Sequence, residues 1–300
     1  MDFGKLSDIS QVNFSLPAES KENRRVLPQK PTEKPKIYVG CPIWSQKEWI
    51  GKIYPHNAQN KDFLHYYAKQ FNAIELNTTH YRIPDKKTIE QWKKQVDGDF
   101  HFSPKFPQPI SHEKMLLNAQ DLLNEFCEAI RGLDENLGLS FLQLPPHFEI
   151  KHLNNLEHFL EHLPKDIPLA VEFRHASWFK GNNFEQAAKA LEEYQIATVI
   201  TDVAGRRDVL HQRLTTPKVL IRFVGNALHA TDYTRIDAWI EQIYVWLQQG
   251  LETLYFFLHE PDNILAPDIA SYFIEKLIAK TGISLKTPTI SKPVIQMKLF

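Results

Sequence analysis

The sequence is poor in the residues and runs that mark several classes of protein. Its 300 residues include two cysteines, Cys41 and Cys127, on a predicted strand end and a predicted helix face. These positions indicate buried, reduced thiols and therefore a cytoplasmic protein rather than a disulfide-linked scaffold. No apolar run reaches the roughly 18 residues of a membrane span, and the N-terminus lacks a basic start followed by an apolar stretch. Neither a membrane protein nor a secreted one is therefore expected.

Charge of one sign is also not in excess. The 35 Lys and Arg residues nearly balance the 36 Asp and Glu residues, which leaves a formal net charge of −1. A chain with this balance does not present a generally basic surface, so contact with nucleic acid is expected only at a local patch.

The two ends of the chain differ in composition from its middle. Residues 1–35 are polar and become rich in Pro, Lys and Glu, which predicts a flexible N-terminal arm because such a segment buries little apolar surface. Residues 36–282 are predicted to form the folded domain. Residues 283–300 again carry prolines and lysines, and predict a flexible C-terminal tail that ends in the peptide QMKLF.

Eight β-rich runs alternate with segments of helical periodicity in the predicted domain. The runs are IYVGC, AIELN, FHFSPKF, LGLSFLQLP, PLAVEFR, ATVITD, KVLIRFVG and ETLYFFLHE. The predicted helices span 115–133 and 236–247, and weaker ones follow Asn60, Pro84, Lys151, Asn183 and Pro267. The link between the sixth and seventh strands is poorly helical. Eight such units in about 250 residues predict an α/β fold, a TIM-type (β/α)8 parallel barrel.

A doubly wound open sheet is the structural alternative. It would need a glycine-rich phosphate loop after the first strand, and the turn GCPIW contains a single glycine. A dinucleotide or Walker-type site is therefore disfavoured, and so is the open sheet.

Polar residues recur at every second position within the predicted strands. Glu75 and Asn77 share one face of the second strand, and Glu172 and Arg174 share one face of the fifth. The outer strand face of a parallel barrel packs on helices, so these side chains are expected to point inward. The other polar residues late in strands, where this fold builds its sites, are Lys105, Gln143, Asp202, Arg222 and His259.

Two interpretations of these inward charges remain open. Glu75, Glu172, Arg174 and Arg222 are either structural ion pairs that brace the barrel or parts of a site. Burying a charge costs several kcal/mol unless it is well paired, so their concentration at one end favours binding or chemistry. The hypothesis requires that Glu75, Lys105, Glu172, Arg174 and Asp202 share one solvent-reachable cup.

Aromatic residues and histidines follow the same strand ends. Trp44, Tyr81 and Trp178 follow the first, second and fifth strands. They are expected either to stack on a base or sugar or to close the rim of the barrel. The histidines in this region are His112, His175 and His259. Each is either a proton donor or a hydrogen-bonded structural group, and His259, followed by Glu260, is the best placed for proton transfer.

Four blocks in the sequence resemble, in the same order, the signature blocks of the DUF72 (YecE-like) family. They are ELNTTHYR, FHFSPKFPQPISH, FLQLPP and VEFRHASWF. The resemblance spans roughly residues 37–280 and implies a TIM-type barrel whose activity is not established. Position by position, it implies functional roles for Glu75, Asn77, Tyr81, Lys105, His112, Gln143, Glu172, Arg174, His175, Trp178 and Asp202.

The chain departs from the family pattern at three strand ends. GCPIW stands where the family has a GTSGW-like turn, and RFVG stands where it has an RLHG-like block, so that Val224 replaces a histidine. The last strand ends in HEPDN rather than in an asparagine-rich segment. These departures assign proton-transfer or ligand roles to His259 and Glu260 instead.

The last five residues, QMKLF, resemble the QLSLF-type peptide by which bacterial proteins dock on the DNA sliding clamp. Leu299 and Phe300 would fill an apolar pocket and Gln296 would form a hydrogen bond, with the preceding arm supplying reach. Lys298 departs from the pattern. The alternative is that this tail packs on its own barrel.

The leading functional hypothesis is a hydrolase or lyase that acts on a phosphate-containing substrate or a nucleic-acid end. The residues assigned to catalysis are Glu75, Glu172, Asp202, His175 and His259. The residues assigned to substrate binding are Asn77, Tyr81, Lys105, His112, Gln143, Arg174, Trp178, Arg222 and Trp44. Glu75, Glu172 and Asp202 would act as a base or as metal ligands, with at most one divalent ion expected.

Two other functions remain open at this stage. A sugar-directed hydrolase or isomerase would use Glu75 and Glu172 on opposite sides of a cleft, about 5 to 10 Å apart. Carboxylates locked against arginines would instead favour anion binding. A non-catalytic barrel would bind a ligand or nucleic-acid end and be recruited through its tail.

Overall fold

Eight short parallel strands form the centre of the computed structural model, which describes residues 4–31 and 33–291. The strands are β1 (Lys36–Cys41), β2 (Ala73–Leu76), β3 (His101–Pro104), β4 (Ser140–Gln143), β5 (Leu169–Glu172), β6 (Ala197–Asp202), β7 (Lys218–Val224) and β8 (Thr253–His259). They pair in the order β3-β2-β1-β8-β7-β6-β5-β4. Bridges from Phe102 to Leu137 and from Lys105 to Phe141 bring the two outer strands together. The sheet is thus a nearly closed barrel, and the predicted TIM-type (β/α)8 fold is confirmed.

Helices follow most of the strands and cover the outside of the barrel. They are α1 (Asn23–Val26), α2 (Phe63–Gln70), α3 (Lys86–Lys93), α4 (Gln120–Arg131), α5 (Leu153–His162), α6 (Asn183–Glu193), α7 (Ala230–Gln248) and α8 (Ala266–Thr281). Helix α8 begins with Pro267 in its first turn and ends at Gly282, whose φ of 70° lies in the left-handed region. Glycine reaches that region without a steric penalty, which explains why the helix stops there.

One predicted helix is shorter than its apolar spacing suggested. The helix expected from Met115 begins at Gln120, as α4. Met115, Leu116 and Asn118 have φ values of 50°, 68° and 50°. Residues in this region cannot continue a right-handed helix. Leu116 is nevertheless buried, so the apolar spacing before α4 reflects a loop that packs on the core.

The N-terminal segment, expected to be a flexible arm, packs along the barrel in its described part. Asn23 is fully buried and Leu27 is 2% exposed. The amide of Asn23 donates to the carbonyl of Gln212 at 2.9 Å, and its oxygen accepts from the backbone N–H of Leu214 at 2.9 Å. The division of the chain into arm, domain and tail stays a prediction, but residues 4–31 do bury polar and apolar groups.

The arm packs against the link between β6 and β7, which has no α-helix in the described structure. Residues 204–209 of that link form a 3-10 turn, and the rest of the link is irregular. The arm contacts the link at Gly205, whose N–H donates to Gly4, and contacts α7 where Trp246 donates to Glu19 at 2.8 Å. The arm therefore joins this irregular link to α7.

The described part of the C-terminal tail lies against the outside of the barrel near α2. The N–H of Thr289 donates to Gln70, and Lys286 donates to the carbonyl of Ala68, at 2.8 and 2.9 Å. The residues assigned to clamp docking, Gln296, Leu299 and Phe300, lie outside the described residues. Their role stays a prediction.

Two expectations about the chemistry of the whole chain can be checked on the described residues. Cys41 and Cys127 are both free and buried, as predicted. Within residues 4–31 and 33–291, none of the helices combines the length and the apolar character needed to cross a membrane. The cytoplasmic location stays a prediction.

Candidate functional site

The interior of the barrel has an apolar lower part and a polar upper part. The lower part is filled by Tyr38, Ala73, Leu139, Phe141, Ala170, Ala197, Val199, Leu220, Tyr255 and Phe257. Because side chains alternate along each strand, the next inward positions lie at the carboxyl ends of the strands. We call the polar side chains at these positions the polar cup, which consists of Glu75, Asn77, Lys105, Gln143, Glu172, Arg174, Arg222 and His259.

Arg222, on β7, lies at the centre of the polar cup and binds both of its carboxylates. Its Nε and Nη2 donate to the two oxygens of Glu75, each at 2.9 Å. Its Nη1 donates to Oε2 of Glu172 at 3.0 Å. The guanidinium lies 5.6 Å from the ring centroid of Phe141 on the floor of the cup. This arrangement links β2, β5 and β7 across the barrel.

Both carboxylate oxygens of Glu75 have hydrogen-bond partners in addition to Arg222. Oε2 of Glu75 also contacts Nε2 of His259 at 2.9 Å, and Oε1 accepts from the amide of Asn77 at 2.9 Å. Burial alone would raise the pKa of Glu75, but the charges of Arg222 and His259 and their hydrogen bonds hold it well below its usual value. Glu75 is therefore ionised at neutral pH, with both oxygens occupied.

Gln143, on β4, forms hydrogen bonds with two cations and with the carboxylate of Glu172. Its Oε1 accepts from Nζ of Lys105 at 2.9 Å and from Nη1 of Arg174 at 3.0 Å. Its Nε2 donates to Oε2 of Glu172 at 2.8 Å. Burial lowers the pKa of Lys105 to about 8, and the charge of Arg222 adds to this effect. Burial also lowers the pKa of Arg174 to about 10.

Polar atoms of the upper barrel that lack a hydrogen-bond partner among the described residues include Oε1 of Glu172, which lies 3.8 Å from Nε of Arg174. Oγ of Ser103 and Oγ1 of Thr201 are two others. Thr201 pairs in register with Arg222, so both point into the barrel. Buried polar atoms of this kind usually bind water or a ligand, so they mark the upper cup as a place for one.

Solvent reaches the polar cup from the carboxyl end of the strands. The side chains of Arg222 and His259 are 12% and 14% exposed, and Asn77 is half-buried. Four of the five residues expected to share one cup, Glu75, Lys105, Glu172 and Arg174, are joined through Gln143 and Arg222 beneath this opening, where each is at most 9% exposed.

The expectation that Asp202 joins the polar cup is wrong. Asp202 is fully buried on the outer face of β6, where its carboxylate accepts from Nη2 of Arg235 and from Nε1 of Trp239, each at 2.7 Å, and from Arg207. Its neighbour Thr201 has the inward position instead. The strand period of two separates the two residues, and a polar residue late in a strand faces the cup only if its parity matches.

The expected aromatic platform is not formed by Trp178. This side chain is fully buried, and its Nε1 donates to the carbonyl of Phe148 at 2.6 Å. Trp44 is partly buried and packs edge-on against Trp92 at 5.8 Å. Tyr81 is 78% exposed. Trp178, which was expected to stack on a ligand, therefore stabilises the loop after β5 instead.

The histidines assigned to the site differ in their surroundings. Nδ1 of His112 contacts Oγ of Ser111 at 2.8 Å, and burial lowers the pKa of His112 to about 4. His112 is therefore neutral at pH 7. Nδ1 of His175 accepts from the backbone N–H of Ser177 at 3.1 Å and so caps a 3-10 turn. Of the three assigned histidines, His259 is the one bonded to a carboxylate of the polar cup.

No carboxylate pair of the polar cup is arranged as a metal centre in the described part of the chain. Over residues 4–31 and 33–291, the group of ligands close enough to hold an ion is His158, Glu161 and His162, which is exposed on α5. Glu75 and Glu172 already accept from Arg222. The identity of any divalent ion stays open, and no step of the chemistry below depends on one.

Glu260 follows His259 but turns to the opposite side of β8. It is 3% exposed, and its Oε2 accepts from the backbone N–H of Ala227 at 2.8 Å. Burial, together with the charge of Asp232, raises the pKa of Glu260 to about 7. This carboxyl group therefore changes its charge near neutral pH.

Glu260 is expected to make the protein less stable as the pH rises from about 5 to about 8. Its pKa in the folded state lies above the usual value, so its contribution is complete at low pH and is lost as the pH rises through about 7. The loss should amount to about 2–3 kcal/mol. Glu260→Gln should remove it, as measured by urea unfolding across this pH range.

The control for this experiment is Glu193→Gln on the exposed face of α6. That variant should keep the pH dependence of the parent protein. Parallel pH profiles for Glu260→Gln and the parent would contradict the assignment, because they would show that Glu260 is solvated and ionised throughout.

The fold and the polar cup together define a TIM-type barrel with one charged network at the carboxyl ends of its strands. The chain belongs to the DUF72 family: residues 38–292 match the family described as "Protein of unknown function DUF72". It is 33% identical over 260 residues to the UPF0759 protein YecE of Escherichia coli K12, covering 80% of this chain and 92% of that protein. With the UPF0759 protein YunF of Bacillus subtilis it shares 29% identity over 157 residues, 50% of this chain and 55% of that protein.

Solved structures of the same family share the fold. A DUF72 family protein from Enterococcus faecalis V583 covers 86% of this chain and 98% of its own, with a TM-score of 0.64 and 21% identity. Another from Thermotoga maritima covers 81% of this chain and 99% of its own, with a TM-score of 0.63 and 26% identity. These likenesses confirm the barrel, whereas the family description names no reaction.

Proposed function

We propose that the polar cup binds a small anionic substrate that also carries hydroxyl groups, and that the protein is a hydrolase or lyase acting on phosphate-containing molecules or nucleic-acid ends. One observation carries this proposal. Lys105 and Arg174 converge on the same neutral amide oxygen, that of Gln143. Two cations this close repel each other, and an anion bound between them would relieve that repulsion.

The charges of the polar cup support an anionic ligand. Three cationic side chains, Lys105, Arg174 and Arg222, face two carboxylates, Glu75 and Glu172. Arg222 is committed to both carboxylates. The positive charge in excess therefore lies with Lys105 and Arg174, on the side of the cup where an anion would bind.

Buried atoms of the cup that lack a hydrogen-bond partner indicate that the same ligand also carries hydroxyl groups. Oε1 of Glu172 offers an acceptor, and Oγ1 of Thr201 offers both a donor and an acceptor. A sugar or sugar-like phosphate presents hydroxyl donors at these positions while its anionic group contacts the cations. In this arrangement Glu172 is the base that accepts a substrate proton.

A sugar hydrolase that uses two carboxylates is less well supported. Such an enzyme needs one carboxylic acid of raised pKa as its proton donor. Burial opposes ionisation of Glu75 and Glu172, yet the arginine charges outweigh it and hold the pKa of both below the usual value. Both are carboxylates locked against arginine, which is the pattern expected for anion binding.

Lys105→Met should weaken the binding of inorganic sulfate or phosphate by about 10- to 100-fold, because one charge-assisted hydrogen bond and one cation are lost. Isothermal titration calorimetry measures the affinity. With sulfate, whose charge is constant near neutral pH, the affinity of the parent protein should also fall as the pH rises through the pKa of Lys105 at about 8.

The matched control is Lys189→Met on the exposed face of α6, which should leave the affinity unchanged. Equal affinity in Lys105→Met and the parent protein would overturn the proposed anion site. Anion binding without turnover of any phosphate ester would instead favour a non-catalytic, ligand-binding barrel.

A further inference from the structure

Lys105 differs from the other lysines of the described chain in its burial. It is 9% exposed and is the one lysine in residues 4–31 and 33–291 that ranks among the buried polar side chains. It extends β3 by one residue, and its bridge to Phe141 places it at the seam between β3 and β4. Its ammonium group therefore lies inside the polar cup.

The hydrogen-bond partner of Lys105 carries no charge. Lys52, Lys93 and Lys280 each form an ion pair with a carboxylate. The hydrogen bond that Lys105 makes within the described residues goes to a neutral amide oxygen, on Gln143. A neutral partner stabilises an ammonium less than a carboxylate does, and neighbouring arginines oppose its charge.

These surroundings favour the neutral amine. Burial, followed by the charge of Arg222, lowers the pKa of Lys105 to about 8. About a tenth of the side chains then carry a free lone pair at pH 7, far more than for a solvated lysine. Lysines activated in this way, by burial beside other cations, act as nucleophiles toward carbonyl groups.

We infer that Lys105 is a nucleophilic amine that forms an imine with an aldehyde or ketone group of the substrate, next to the open carboxylate oxygen of Glu172. This inference rests on the proposed function, in which Arg174 holds the anionic group of the same molecule. The substrate class is therefore a phosphorylated aldehyde or ketone, and the reaction is that of a lyase.

The step balances without an oxidant or reductant. The ammonium of Lys105 first loses one proton to solvent, and the lone pair of the neutral amine then attacks the carbonyl carbon. The carbonyl electrons move to oxygen, which takes up the proton that nitrogen loses and becomes a hydroxyl group. The hydroxyl group leaves as water with one proton returned from solvent, and the nitrogen lone pair forms the C=N bond. Ammonium and carbonyl thus give a protonated imine and one water.

Glu172 is placed to serve this sequence. Its Oε2 is joined to Lys105 through the amide of Gln143, while its Oε1 is open. A carboxylate in this position carries the proton between nitrogen and oxygen and stabilises the positive charge of the protonated imine. Glu172→Gln should therefore slow imine formation while leaving Lys105 in place.

The test is reductive trapping. The full-length protein is incubated with glyceraldehyde 3-phosphate or dihydroxyacetone phosphate and sodium cyanoborohydride, and the reduced adduct is located by peptide mass spectrometry. The adduct should form at Lys105 at least about tenfold faster than at the exposed Lys189. Lys105→Arg should abolish the adduct at this site, because arginine does not form an imine; sulfate binding is measured on the parent protein. Lys189→Arg should leave labelling of Lys105 unchanged.

The outcomes separate this inference from the proposed function. Sulfate binding without an adduct at Lys105, or with labelling spread equally over surface lysines, would overturn the amine role and leave the anion site intact. Failure of the parent protein to bind sulfate would overturn both.

Discussion

Arg222→Met is expected to destabilise the protein by about 3–5 kcal/mol, because it leaves two buried carboxylates without their shared cation. Arg222 donates two hydrogen bonds to Glu75 and one to Glu172, and Glu75 is fully buried. Methionine fills most of the volume but supplies neither charge nor donors. Urea unfolding at neutral pH, followed by tryptophan fluorescence, measures the loss.

The loss of stability caused by Arg222→Met should become smaller as the pH falls. In the parent protein the pKa of Glu75 lies well below its usual value, so its stabilising contribution persists to acid pH. In Arg222→Met, burial acts without the opposing guanidinium, and the pKa of Glu75 rises. Protonation of Glu75 as the pH falls then relieves the buried charge at a higher pH in the variant than in the parent protein.

Two further variants complete this experiment. Arg82→Met replaces an exposed arginine and should change stability by less than about 0.5 kcal/mol. Adding Glu75→Gln to Arg222→Met should restore part of the lost stability, because it removes one of the unpaired charges. If Arg222→Met costs less than about 1 kcal/mol, or costs the same at every pH, the network is solvated rather than buried.

The inward set of polar residues was predictable because a strand has a fixed period of two. Glu75 and Asn77, and likewise Glu172 and Arg174, were placed inside the barrel by alternation, and the structure joins them in one network. Eight strands separated by helices also fix the closed parallel sheet, since such connections leave few other topologies. The fold and most of the polar cup thus follow from local patterns.

Parity explains the error at Asp202. The prediction for Asp202 rests on its position late in β6, but Asp202 aligns with Phe223, which lies on the outer face, and Thr201 aligns with Arg222. The alternation of side chains in β6, as in β2 and β5, selects Thr201 as the inward residue. Trp178 is a different case, because whether an aromatic ring packs inward or faces a ligand depends on neighbours far away in sequence.

The position of the N-terminal arm was not predictable from composition. Polar composition indicates that a segment cannot form a core alone, but it does not show whether another part of the chain offers a complementary surface. Here the link after β6 supplies that surface through backbone groups of Gln212 and Leu214, which Asn23 binds. Backbone donors and acceptors have no signature in the sequence, so this contact is visible only in the folded chain.

Asn23→Ala is expected to cost about 2–4 kcal/mol, the second largest effect, because it removes the partners of two buried backbone groups. Its amide donates to the carbonyl of Gln212 and also to Glu19, and its oxygen accepts from the N–H of Leu214. Alanine forms none of these hydrogen bonds, and water cannot replace them because Asn23 is fully buried. Urea unfolding measures the cost, and limited proteolysis should cut residues 4–31 faster in the variant.

The control is the same substitution at Asn182, which is exposed and precedes α6 without a capping hydrogen bond from its side chain. Asn182→Ala should change stability by less than about 0.5 kcal/mol. Equal effects at the two positions would show that the arm does not hold the link after β6. A large difference would mean that the arm stabilises the link after β6, in which Arg206 donates to the backbone carbonyl of the cup residue Arg174 at 2.8 Å. The arm would then contribute to the geometry of the polar cup as well as to the stability of the barrel.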